Sequence, residues 1–397
     1  MKQYLGMVYK RKPTLINNHV KSVHYMLETS KALNINNIFK DITMSYQQKI
    51  KNNINIFEIL RDCMWEIIFA KWLRYSPMFC SGVRTNKLLK KYYSTKFIEN
   101  KLDPHWVTGF IDAEGYFSVI IEVSESLKSK VRISFEINLH EKDKEILYKI
   151  KSFFGVGGIY HRPDKKKSVY RVTNVNYIND VIIPHFTKYP LISKKGVDFL
   201  LWCKVVKIIL NKEHLTREGF LTILSYYASI NRGVSKKVLN YYPNIIPSNK
   251  PIINLPNNLN PQWVSGFVAG DGGFSIYVRP AKDYVLLEKV YCRFHIAQHS
   301  KDLELMKLFI KFFDCGVVNL RSNLSTPRCD FIVQDTNSLL EKIIPHFDSY
   351  PLLNLKQEDY VCFKKCMSII ELKQHLTKKG LDQIKILNLQ MNSNRLK

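Results

Sequence analysis

From Leu102 onward the apolar and polar positions switch between two periods, and each switch marks an element. Phe117, Val119, Ile121 and Val123 alternate with Ser118, Ile120 and Glu122, and then Val131, Ile133, Phe135 and Ile137 alternate with Arg132, Ser134, Glu136 and Asn138. A period of two predicts a pair of half-buried strands. Upstream, the Trp106-Val-x-Gly-Phe stretch reads as a short helix, started by Asp103-Pro104 as N-cap and first-turn proline and ended by Gly115. Downstream come a helix over 142–154, a second hairpin pairing 159–162 with 169–173, and two closing helices. Helix, hairpin, helix, hairpin, helices is an α+β unit with an antiparallel sheet.

The same pattern then returns. Leu102-Asp-Pro-His-Trp-Val-Thr-Gly-Phe-Ile-Asp-Ala-Glu-Gly-Tyr-Phe-Ser118 is echoed by Leu259-Asn-Pro-Gln-Trp-Val-Ser-Gly-Phe-Val-Ala-Gly-Asp-Gly-Gly-Phe-Ser275. Phe135-Glu-Ile-Asn-Leu-His140 returns as Phe294-His-Ile-Ala-Gln-His299, and Ile182-Ile-Pro-His-Phe186 as Ile343-Ile-Pro-His-Phe347. The offset drifts by a few residues only, so two copies of one fold differ by small loop insertions. The second copy predicts its helix over 301–313 and its hairpin from 318–321 with 328–333. The expected organisation is a basic N-terminal extension over 1–100, one unit over 101–243, a Pro- and Asn-rich linker over 244–258 and a second unit over 259–397. Within the extension, the stripe Ile56, Ile59, Leu60, Cys63, Met64, Ile67 predicts one amphipathic helix, and the rest reads as disordered. No acid precedes Glu28, as in mitochondrial transit peptides, but serine is sparse and an unstructured leader is the favoured reading.

Charge changes the picture more than composition does. Sixty Lys and Arg against 34 Asp and Glu leave a net charge of +26, which calls for a polyanionic partner, while 46% hydrophobic residues allow a sizeable core and exclude a disordered basic arm. One face of each sheet should pack on helices and leave the other to carry Arg132, Arg171, Arg279, Arg293 and Arg328 among Ser118, Ser134 and Ser275. A twisted antiparallel ribbon of that kind fits the major groove of DNA, with Lys165, Lys166 and Lys167 on phosphates. The eight cysteines form no CxxC or Cys/His cluster of zinc-binding spacing and read as reduced, mostly buried thiols; Cys362 and Cys366 fall in a core-packing pattern. The longest apolar runs, such as Val197 to Leu210, are too short and too broken by charge for a membrane span.

Val107-Thr-Gly-Phe-Ile-Asp-Ala-Glu-Gly115 and Val264-Ser-Gly-Phe-Val-Ala-Gly-Asp-Gly272 resemble the two LAGLIDADG motifs of a single-chain homing endonuclease of the intron-encoded, fungal mitochondrial type, over about residues 102–391. The motif has a physical logic of its own. Gly109 with Ala113, and Gly266 with Gly270, are small residues four apart on one helical face, so the two helices can pack closely as the seam between the halves. Glu114 and Asp271 then fall at the negative ends of both helix dipoles and close to one another. A divalent cation relieves both repulsions, and Mg2+ takes such hard oxygen ligands together with water and phosphate. Asp112 is left out of this metal site because the second copy has Ala269 in its place.

Other assignments follow from the resemblance. It implies that Lys195 and Lys356, the one basic position shared by Tyr189-Pro-Leu-Ile-Ser-Lys-Lys195 and Tyr350-Pro-Leu-Leu-Asn-Leu-Lys356, face the cleavage centre, polarising water or stabilising charge on phosphate. It implies that Gln298 positions water, although the first copy has Leu139 there. His140, His185, His299 and His346 recur in pairs but without metal-ligand spacing, and are read as core or capping residues. The activity implied is a monomeric, Mg2+-dependent, site-specific double-strand DNA endonuclease with a long asymmetric target. It would cut across the minor groove, leave short 3′ overhangs and promote intron homing. The alternative is a maturase that binds its own intron RNA and assists splicing, since a basic surface attracts either polyanion. Retention of Glu114 and Asp271 favours the nuclease and ranks a non-catalytic regulator last. An AT-rich composition (Lys, Asn, Ile, Tyr) points to a mitochondrial gene, with chloroplast as the second choice.

Overall fold

The computed structural model describes residues 102–123, 130–322, 325–392 and 394. The helix expected over 56–73, the leader, Cys63 and Cys80 lie outside the described residues.

Each half begins with a motif helix, α1 (Pro104–Glu114) and, in the second half, α7 (Pro261–Asp271). The caps are those the sequence predicts: the Asp103 carboxylate accepts from the amides of His105 (2.8 Å) and Trp106 (3.3 Å), and the Asn260 side-chain oxygen from those of Gln262 (2.9 Å) and Trp263 (3.2 Å). The glycines that follow differ from expectation. Gly115 and Gly272 have φ of −72° and −88°, extended rather than left-handed, and each starts the next strand. Glycine is needed there for space, since a Cβ on Gly115 would lie 2.7 Å from the Ile111 carbonyl oxygen.

In the first half, β1 (Gly115–Glu122), β2 (Lys130–His140), α2 (Lys144–Phe154), β3 (Gly158–Arg162) and β4 (Lys167–Val172) follow. In the second, β5 (Gly272–Pro280), β6 (Glu288–His299), α8 (Leu303–Phe313), β7 (Val317–Leu320) and β8 (Arg328–Val333) repeat them. Both sheets are four-stranded and antiparallel, ordered β1-β2-β4-β3 and β5-β6-β8-β7. Register places Phe117 opposite Phe135 and Phe274 opposite Phe294, with ring centroids 5.4 and 5.2 Å apart. Around these pairs gather Phe186, Phe199 and Trp202 in one half and Phe347, Tyr360 and Phe363 in the other. Each such ring stabilises by about 1.5–3 kcal/mol when fully buried, so the aromatic clusters contribute strongly to holding each sheet on its helices.

The helical tails are longer than the two helices expected. The Pro-His-Phe segments form short helices, α3 (Ile183–Lys188) and, in the second half, α9 (Ile344–Ser349). They are too brief to give a periodic signal. The long α4 (Lys195–Leu210) and α5 (Arg217–Ser229), with α6 (Lys236–Tyr241), close the first half. The second half ends in α10 (Lys356–Glu371) and α11 (Lys378–Leu389), without a counterpart of α6 among the described residues. Residues 244–258 contain no helix or strand, and the Ser248 amide donates to the Ser225 carbonyl at 3.1 Å, pinning the segment to the first half.

The halves join along α1 and α7. A Cβ on Gly109 would collide with the Trp263 carbonyl and one on Gly266 with the Trp106 carbonyl, while a Gly270 Cβ would collide with that of Ala113. Backbones that approach this closely leave no room for a side chain, and the small residues singled out in the motif are the ones at the seam. Trp106, Phe110 and Phe267 are fully buried along it, and Trp263 nearly so. One continuous apolar core therefore runs through both halves.

Candidate active site and nucleic-acid interface

The two motif carboxylates come together at the C-terminal ends of α1 and α7. The Cγ of Glu114 lies 3.1 Å from where a Cβ on Gly270 would stand, one residue before Asp271. Burial raises the pKa of Glu114, and burial together with the Glu114 charge pushes Asp271 up to about 6. Two buried acids, one raising the other's pKa, are poised for a cation. Among the described residues no third His, Cys, Asp or Glu joins them, so the donor set is two carboxylates. That set suits a hard ion which keeps water and phosphate in its remaining positions, and it does not suit Zn2+.

Lys195 and Lys356 are brought to this point, but differently from the sequence expectation. Lys195 Nζ donates to the carbonyls of Ile111 (3.2 Å) and Ala113 (2.8 Å). Lys356 Nζ donates to those of Val268 (3.0 Å), Gly270 (2.7 Å) and Gly272 (2.5 Å). An ammonium has three protons, so Lys356 has all of them engaged and Lys195 two. Both lysines cap the ends of the motif helices, supplying charge that offsets the dipole and the carboxylates. In this arrangement Lys356 has no ammonium proton left over for water. Burial lowers the pKa of both, and the neighbouring acids, Asp112 foremost for Lys195 and Asp271 for Lys356, pull them back up.

Gln298 Nε2 donates to Asp271 Oδ2 at 2.5 Å, so its amide is engaged on the carboxylate rather than aimed at free solvent. Leu139, at the matching place, can donate nothing, and the two half-sites differ there as the sequence says. Asp112 is saturated: it accepts from the amides of Ile192 (2.9 Å) and Ser193 (3.2 Å), the Ser193 hydroxyl (2.6 Å) and the Trp263 indole (3.0 Å). Its oxygens anchor the loop before α4 and reach across the seam, leaving nothing for a metal.

The histidines serve structure. Thr108 Oγ1 donates to the Tyr189 carbonyl (3.3 Å) and therefore accepts from His185 Nε2 (3.0 Å), and Ser265 repeats this with Tyr350 (2.7 Å) and His346 (3.1 Å). Burial holds both imidazoles neutral, with pKa lowered to about 4. His140 and His299 cap the turns after β2 and β6 by accepting from Lys142 and Lys301 amides. The buried thiols of Cys292 and Cys366 lie 3.6 Å apart as core neighbours.

Register settles the sheet faces. Arg132, Ser134, Arg171 and Ser118 lie on one face of the first sheet, and Ser275, Arg279, Arg293 and Arg328 on the equivalent face of the second. Lys165 and Lys166 form the turn before β4, and Lys167 opens that strand. Ser118 and Ser134 lie on the arginine-bearing face but are buried, 5% and 3% exposed. Ser134 donates to Glu136 at 2.7 Å, and Ser118 lines a cavity of about 500 Å³ together with Asn231 and Arg232.

Sequence reasoning also missed what register places beside the arginines. Arg132 pairs with Glu122, and Arg171 with Glu136 at 2.9 Å. In the second sheet Tyr277 and Tyr291 stack at 4.7 Å, with Arg279 and Arg293 over the rings. The period-two run Ser275, Tyr277, Arg279 was the available signal for that ladder. Arg293 Nε and His295 Nδ1 are buried without a hydrogen-bond partner among the described residues. No described helix is long and apolar enough to cross a membrane.

A family model described as LAGLIDADG endonuclease matches residues 107–206 and 264–367. "Probable intron-encoded endonuclease 2" of Neurospora crassa is 38% identical over 71% of this chain and 64% of its own length, so the chain spans less than two thirds of that relative. Among solved structures, I-SmaMI bound to uncleaved DNA target in the presence of calcium ions is 34% identical with a TM-score of 0.70, covering 74% of this chain and 99% of its own. The I-LtrWI LAGLIDADG homing endonuclease bound to target DNA is 35% identical with a TM-score of 0.70, covering 73% of this chain and 98% of its own. Two matched motifs, the doubled α+β fold and the paired carboxylates at the seam agree, and the chain belongs to the LAGLIDADG endonuclease family.

Proposed function

We propose that this chain is a monomeric, site-specific double-strand DNA endonuclease of the intron-homing type, dependent on a divalent cation and served by Mg2+. One observation carries the reading: Glu114 and Asp271 meet at the ends of two helices packed backbone to backbone, between two sheets with basic faces. Bound there, the cation would activate water and neutralise the scissile phosphate. The protein's own part is positional. Glu114 and Asp271 hold the charge on the pseudo-twofold axis, where both strands of a duplex are in reach. Lys195 and Lys356 fix the helix ends and keep positive potential beside the phosphates. Gln298 orients the Asp271 carboxylate, so the two half-sites are chemically unequal.

Arg279, Arg293 and Arg328 with the Tyr277–Tyr291 ladder would read or grip one half of an asymmetric target, and Arg132, Arg171 and Lys165 to Lys167 the other. The names of the relatives are those of endonucleases, two of them in DNA-bound structures, which favours DNA over the maturase alternative with intron RNA. Their intron-encoded naming supports a mitochondrial location.

The test is cleavage of cloned intronless host DNA with Mg2+ or EDTA by wild type, Glu114→Gln and Asp271→Asn. Breaks that require Mg2+ and both carboxylates support the reading. Intact protein that binds this DNA and leaves it uncut with Mg2+ present removes it.

A further inference from the structure

The two lysine-bearing loops are held from opposite halves of the molecule. Asp302, at the turn after β6 in the second half, accepts from the Lys194 amide at 2.7 Å, one residue before Lys195. Asp143, at the matching turn in the first half, accepts from the Leu355 amide at 3.1 Å, one residue before Lys356. Each carboxylate thus sits at the amino end of a 16-residue helix belonging to the other half, α4 or α10, where the helix dipole favours an anion. The tryptophans of the motif helices repeat the exchange. Trp106 Nε1 donates to the Pro351 carbonyl at 3.2 Å, and Trp263 Nε1 to Asp112, which itself holds Ile192 and Ser193.

The ion pairs of the first sheet, Arg132 with Glu122 and Arg171 with Glu136, stay within one half, unlike the bonds of Asp143 and Asp302. Asp302 is 9% exposed, and burial raises its pKa against the Lys194 amide bond that lowers it. A buried acid bonded to a helix start is not a solvated surface group.

We propose that Asp143 and Asp302 are positioning residues that place, across the seam, the active-site lysine of the opposite half: Asp143 sets Lys356 and Asp302 sets Lys195. Each half-site is then completed by the other half, and docking of the halves is a condition for the lysines to reach the helix ends. This rests on the endonuclease reading for its catalytic consequence, but the placement itself does not.

Two measurements keep the claims apart. Hydrogen exchange followed by mass spectrometry on the full chain compares wild type with Asp143→Ala and Asp302→Ala. Asp143→Ala should speed exchange in 350–357 and leave 189–196 unchanged, and Asp302→Ala should do the reverse. The second measurement is strand-resolved nicking of the target. Asp143→Ala should slow the same strand as Lys356→Met, and Asp302→Ala the same strand as Lys195→Met, by about tenfold, the weight of one hydrogen bond to a charged group. Asp143→Asn and Asp302→Asn, which keep an acceptor oxygen, should recover most of the rate. Faster exchange in the loop of the same half, or equal slowing of both strands, overturns the proposal. Wild type that fails to cut would remove the nuclease reading alone, since the exchange pattern still decides the placement.

Discussion

The seam between α1 and α7 offers the sharpest quantitative test. Replacing Gly266 by Ala puts a methyl group into the Trp106 carbonyl and 2.9 Å from the Phe110 amide nitrogen, both backbone atoms that no rotamer change can move. The helices must part by about an ångström. A gap of that size forfeits a quarter to a half of the dispersion well for every facing pair, and Trp106, Phe110, Trp263 and Phe267 all face it. Overpacking of this kind costs typically 1–3 kcal/mol, and the better helix propensity of alanine offsets about 1 kcal/mol. With rigid backbone on both sides the upper end applies, giving a net loss of about 2 kcal/mol in denaturant unfolding. Gly155 supplies the control. Its φ is +69° and a Cβ there meets nothing within 4 Å, so Gly155→Ala incurs only backbone strain, about 1 kcal/mol, and leaves the site alone. Because Glu114 and Asp271 ride on the helix ends, Gly266→Ala should also weaken Mg2+ or Ca2+ binding by calorimetry, and Gly155→Ala should not. If Gly266→Ala unfolds at the wild-type midpoint and binds the cation normally, the close-packed seam does not set the carboxylate pair.

Three further outcomes follow from the same geometry. The folded Asp271 carboxyl titrates at about 6 against a usual 3.8, so its contribution to stability is full below about 4 and is lost as pH rises through 6. Cation affinity must move the other way and strengthen as pH rises through 6. Calorimetric titrations at pH 5 and 7 check this, and Asp271→Asn should flatten the difference. Asp112→Ala strips four donors of their acceptor and should cost about 3 kcal/mol or more in unfolding, at 1–3 kcal/mol for each buried group left unpaired. A loss below 1 kcal/mol would deny it the anchoring role. Arg328 is exposed and in no ion pair among the described residues, so Arg328→Ala should lower the slope of log affinity for duplex DNA against log salt by about one. Arg132, already matched by Glu122, should lower it by less when changed to Ala, and equal changes would refute that pairing.

Much of this protein is legible in the order of its residues, because the repeat states the same pattern twice. Period-two runs gave the strands, Asp103-Pro104 and Asn260-Pro261 gave the helix starts, and the spacing of Gly109, Ala113, Gly266 and Gly270 gave the close helix pair. These are local signals: alternation, capping and small-residue spacing act within a few residues of chain. The paired acids were legible too, since a motif repeated at domain spacing implies a twofold axis. What the lysines do was not, because whether an ammonium reaches water or a helix end depends on the path of a loop some 80 residues away. Pairing of Arg132 with Glu122 and Arg171 with Glu136 depends on strand register, which one residue of slip would abolish. The burial of Ser118 and Ser134 depends on what covers the sheet, not on the face they point to. The bonds of Asp143 and Asp302 join segments more than 100 residues apart, and only packing of one half on the other could bring them together. The sequence by itself determined the elements, their duplication and the carboxylates that meet at the seam. Tertiary structure decided which partners those groups found, because hydrogen bonds and ion pairs over long sequence separations are set by the docking of surfaces rather than by any pattern along the chain.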